Sequence, residues 1–97
     1  MKGDNIMIYT LKFADNSSLE NITVNGDNFV SKSEVSKEFF TPERLARVEI
    51  IRTDTPSENE MFTPDMSGTY ENMKFIQLFH YVNNPGIEDG YYFVLRA

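Results

Sequence analysis

The chain has 97 residues, 40% hydrophobic and 13% aromatic, which is one domain's worth of core and too apolar for intrinsic disorder. A formal charge of −6 opposes phosphate backbones and argues against nucleic-acid binding. With no cysteine there can be no disulfide, thiolate metal site or thiol nucleophile, and a reducing compartment fits.

Ile6 to Phe13 reads as a strand, with Met7, Tyr9, Leu11 and Phe13 on one face at period two. Asp15-Asn16-Ser17-Ser18 follows as a turn, because these side chains bond their own backbone. Leu19 to Val24 is a second strand and Phe29-Val30 the centre of a third. Asn25-Gly26 between them fits a type I′ turn, with positive φ at both positions. Thr41-Pro42-Glu43-Arg44-Leu45 is a helix start, with Thr as N-cap and Pro at the first helical position, and the helix lasts about a turn. Phe39 and Phe40 just before it are expected to anchor this crossover on the core. Arg47 to Arg52 is a strand with Val48 and Ile50 inward.

Residues 53–71 show no period, which is long for a connection in a compact domain. Asn72 to Val82 and Tyr91 to Leu95 complete the strands, joined by the turn-rich residues 83–90. The fold expected is all-β, a small antiparallel barrel or sandwich of about six strands with one short helix. Its single domain, 1–97, divides into strands and helix over 6–52, an acidic loop over 53–71 and a strand pair over 72–97.

No phosphate loop, dinucleotide fingerprint, serine-hydrolase elbow or zinc pattern is present in the sequence. The lone histidine, His80, lies between Phe79 and Tyr81, where a packed or edge-exposed ring is the ordinary outcome, so no catalytic residue is expected. Asp15 to Glu20 lacks the glycine and spacing of a calcium loop, and Glu88-Asp89-Gly90 is too short, so neither a metal nor a cofactor is expected. No apolar run reaches the ~18 residues of a transmembrane helix, and no signal core follows Met1-Lys2-Gly3-Asp4-Asn5. The expectation is a cytoplasmic protein without membrane partners.

Two surfaces are candidates for contact with another protein. Segment 53–71 holds Asp54, Glu58, Glu60, Asp65 and Glu71 with no basic residue, so it carries −5 of the −6. Glu58, Glu60, Met61, Phe62 and Asp65 could there face a partner, or Phe62 and Tyr70 could pin the segment to its own core. The last two strands are apolar on both sides. Phe75, Phe79 and Tyr81 alternate with Ile76, Leu78 and Val82, and Tyr92 shares a neighbouring strand, so Phe75, Phe79, Tyr81 and Tyr92 form an alternative interface.

The opening Tyr9-Thr10-Leu11-Lys12-Phe13-Ala14-Asp15, the continuation Leu19-Glu20-Asn21, Asn25-Gly26 with Asn28-Phe29-Val30-Ser31, and the closing Tyr92-Phe93-Val94-Leu95 carry a resemblance. They resemble small uncharacterised phage and prophage proteins of Gram-positive gut bacteria. The resemblance covers the first third and the last strand, and implies a shared fold with no known activity. It also implies a domain beginning near the Tyr-Thr-Leu strand, which makes Met7 an alternative start.

The function expected is a non-enzymatic phage or prophage accessory protein acting by protein–protein contact with itself, a virion component or a host protein. One alternative is an acidic inhibitor of a basic host nucleic-acid-binding protein, and another is a small-ligand-binding domain.

Overall fold

The alternation read in Tyr9–Phe13 (β1) is present as burial. Tyr9, Leu11 and Phe13 are fully enclosed while Lys12 points to solvent. The structure is a computed structural model that describes residues 6–55 and 65–97. Its other strands are Ser18–Asn25 (β2), Asn28–Ser31 (β3), Arg47–Arg52 (β4), Gly68–Glu71 (β5), Lys74–Tyr81 (β6) and Gly90–Arg96 (β7). All pair antiparallel in the order β5-β4-β1-β2-β3-β7-β6. The all-β fold expected is therefore present, with seven strands among the described residues where about six were expected.

β2 belongs to both halves of this sheet, because a bulge lets it turn from β1 to β3. Tyr9 stands opposite Ile22 and Leu11 opposite Leu19, so β2 spends one extra residue there. Asn21 within that stretch has φ +58°, a left-handed conformation that asparagine tolerates better than most residues. The two edge strands, β5 and β6, are consecutive in the chain. They turn at Asn72, whose amide bonds the Ala46 carbonyl at 2.9 Å, while the Met73 amide bonds that of Leu45. The sheet thus curls into a barrel-like shape whose edges are linked at one corner and do not pair.

The core fills the curl. Leu11, Phe13, Ile22, Val48, Ile50 and Phe93 are at its centre. Phe40 closes it from the crossover, with its ring 5.2 Å from Phe75 and 4.8 Å from Phe93. Phe39 meets Phe13 edge-on at 5.1 Å and takes the Arg44 guanidinium over its face. The helix that follows them, Pro42–Leu45 (α1), starts where the sequence predicts, with Thr41 Oγ1 accepting from the Arg44 amide at 3.2 Å.

Three local expectations need correction. The β2–β3 turn is centred on Gly26-Asp27, because Asn25 still pairs with Asn28. Only Gly26 has positive φ, +63°, which is the type II′ pattern and not I′. Residues 53–71 contain a strand, β5, too short and polar at Gly68-Thr69-Tyr70-Glu71 to show a period. Finally, β6 carries a bulge: Phe75 opposes Leu95 and Gln77 opposes Val94, leaving Ile76 unmatched. That extra residue reverses the phase, so Phe75 faces the core and does not share a side with Phe79 and Tyr81.

Candidate functional site

β7 is apolar on both sides for two different reasons. Inward, Tyr91, Phe93 and Leu95 continue the core. Outward, Tyr92 and Val94 are buried as well, although among the described residues no second layer of sheet lies over them. In register, Thr23, Val30, Tyr92 and Phe79 form one row across the outer face of β2, β3, β7 and β6.

The connection after β6 folds back onto this row. The Tyr92 hydroxyl donates to the Glu88 carbonyl at 2.7 Å, and its ring meets Tyr81 edge-on at 5.0 Å. Lys32 ties the same loop to β3, with Nζ 2.6 Å from the Glu88 carboxylate and donating to the Asp89 carbonyl. Gly90 permits the close approach: a Cβ there would stand 3.1 Å from the Ser31 carbonyl oxygen. The loop covers Tyr92 and stops short of Phe79.

Phe79 is therefore half exposed, at 49%, on a platform made by Tyr81 and Tyr92. Ile76, Val82 and Ile87 are exposed at 46%, 50% and 40%. Beside Phe79 is a shallow open hollow of about 210 Å³ lined by Asn28, Gln77, Phe79, Tyr81, Ile87 and Tyr92. Rigid rings with polar tips over a shallow hollow suit contact with another protein surface, since they add large apolar area at little entropic cost. Of the interface expected from the sequence, Phe79, Tyr81 and Tyr92 are brought together, and Phe75 is sent to the core.

The electrostatics of this region differ from those of the rest of the chain. Residues 72–87 contain Lys74 and no carboxylate. Lys74 stands opposite Arg96, and among the described residues neither has an ion-pair partner. His80 lies on Tyr91 with ring centroids 3.9 Å apart and planes nearly parallel, exposed at the strand's end. Among the described residues, no group of three His, Asp or Glu side chains is placed to hold a metal.

The acidic surface has a different character. Arg52, largely buried, grips Asp54 through two hydrogen bonds of 2.8 Å, and Asp54 Oδ1 also accepts from the Ile8 amide. The guanidinium and that amide hold the Asp54 carboxyl well below the usual range. Asp65 accepts from the Ser67 amide at 2.8 Å and from its hydroxyl, which lower its pKa, and takes the Tyr9 hydroxyl at 3.3 Å. Tyr9 Oη in turn accepts from the Met66 amide, and burial raises its pKa. Asp65 Oδ2 lies 3.9 Å from Arg52. Two of the segment's five carboxylates thus serve the protein's own backbone and Arg52. Glu58, Glu60, Met61 and Phe62 lie outside the described residues. Tyr70 is partly packed on the core and donates to the Met66 carbonyl, as a pinned segment requires.

Sequence reasoning missed Ile87 and the shared exposure of Ile76 and Val82. A lone isoleucine in an otherwise polar loop was the available signal for the first; the bulge hid the others. Among the described residues no helix is long and apolar enough to cross a membrane. No family model, curated protein or solved structure matches the chain.

Proposed function

We propose that this chain is a non-enzymatic phage or prophage accessory protein, acting in the host cytoplasm or within a virion by protein–protein contact through the outer face of β6 and β7. The observation that carries the contact role is the half-exposed Phe79 on its Tyr81–Tyr92 platform, with Ile76, Val82 and Ile87 around it. Apolar exposure gathered on one strand and its loop is a cost that contact with another surface relieves. The phage setting is supported by the resemblance of residues 9–15, 19–21, 25–26, 28–31 and 92–95 to such proteins.

The acidic-inhibitor alternative draws less support, because Asp54 and Asp65 are engaged with Arg52, Ser67 and Tyr9. A photo-crosslinking amino acid placed at position 79, and at Glu20 and Glu58 for comparison, tests the proposal. Crosslinks to a protein from position 79 and not from position 20 are expected. Crosslinks from position 58 with none from 79 would move the function to the acidic segment.

A further inference from the structure

We infer that the partner for this face is a second copy of the chain, joined through the free edge of β6 about a two-fold axis at Phe79; this rests on the contact role just proposed. Among the described residues, β6 ends the sheet and is hydrogen-bonded in register to β7 alone. Open edges are normally blunted by proline, by charge, by bulges or by shortness. β6 has eight residues and no proline, and its two such devices, Lys74 and the bulge at Ile76, lie together at its start, which leaves Gln77–Tyr81 open.

Two observations select a second copy over an unrelated strand. The first is self-complementarity. An isologous interface sets residue i against j and j against i. In an antiparallel pair centred on Phe79, the two Phe79 rings meet on the axis, Gln77 opposes the second copy's Tyr81, and Ile76 falls beside its Val82. All three exposed apolar side chains of β6 and its end, at 76, 79 and 82, then find apolar neighbours. Opposed residues share a face, so both aromatic platforms lie on the same side of one continuous sheet.

The second observation is charge. Residues 72–87 carry +1, leaving −7 on the rest of the chain. Two copies meeting by most other surfaces bring carboxylates together. At β6 no carboxylate is present on either side, and each Lys74 lies at the far end from the axis. The bulge at Ile76 confines the new ladder to Gln77–Tyr81, so the dimer is modest in area and depends on concentration.

Sedimentation velocity over a concentration series, with circular dichroism as the folding control, reads the association. The parent chain should move from monomer to dimer. Phe79→Lys places two cations on the axis and should keep the chain monomeric with its spectrum intact, as should Val82→Lys with a smaller shift. Cysteine trapping reads the register, because the parent has no cysteine. Under mild oxidation Phe79→Cys should form disulfide dimers at least tenfold faster than Gln77→Cys. A dimer that persists in folded Phe79→Lys, or equal trapping at both positions, overturns the inference. A strictly monomeric parent overturns it too, and the contact role then stands or falls separately on the mass crosslinked from position 79. That mass is twice 11.2 kDa for a second copy and different for any other protein.

Discussion

Arg52 and Asp54 form a parallel two-bond pair, Nε to Oδ1 and Nη2 to Oδ2, each at 2.8 Å. The side chains are only 12% and 14% exposed, and Asp54 also bonds the Ile8 amide, so the pair fastens the end of β4 to the entry of β1.

That fastening predicts an acid sensitivity of definite sign. The Asp54 pKa is lower folded than unfolded, chiefly through the Arg52 hydrogen bonds and then the Ile8 amide. Its contribution is thus full above the unfolded value of about 3.9 and is lost as pH falls toward the folded value. Melting temperature should drop through this window in the parent chain. Asp54→Asn should be less stable at pH 7 and show a shallower drop below pH ~4. Parallel curves for the two proteins would mean that the pair contributes nothing to acid stability.

Phe40 is the keystone of the aromatic crossover, stacked on Phe75 and tilted on Phe93. Phe40→Ala should cost about 3–5 kcal/mol, a large share of what so small a domain has. Urea titration reads it directly. A loss under 1 kcal/mol would mean that the core closes without the crossover.

Gly26 has φ +63° and open space where a Cβ would go, so substitution there is felt through the backbone alone. Gly26→Val should destabilise by about 1–2 kcal/mol, and Gly26→Asn by less, because asparagine tolerates positive φ in such turns better than a β-branched residue does. Equal melting temperatures for valine and asparagine variants would be inconsistent with the turn described.

How far the fold was legible follows from where the alternation was clean. β1 and β4 interleave apolar with polar or charged residues, and both their faces could be assigned. The crossover was legible because Thr41-Pro42 marks a helix start and paired phenylalanines have few places to go. β6 was not: Phe75-Ile76-Gln77-Leu78-Phe79 has four apolar residues in five, so nothing in it shows the bulge that reverses its faces. The turn was ambiguous because Asn25-Gly26 satisfies one hairpin type and Gly26-Asp27 another, and only the pairing of Asn25 with Asn28 decides. Of the candidate site, the aromatic residues could be named and their grouping could not. The Arg52–Asp54 pair was not read from the sequence, which counted Asp54 with the acidic segment; its further bond to the Ile8 amide joins residues 46 positions apart.

Hydrogen exchange tests the central claim most directly, that the outer face and edge of β6 are where this protein meets another. Exchange is measured on the dilute chain and again in the assembly it forms. Peptides covering residues 74–82 should gain protection, with little change in those covering β5 and residues 53–67. Unchanged β6 peptides together with new protection across 53–67 would contradict the account and assign the contact to the acidic segment.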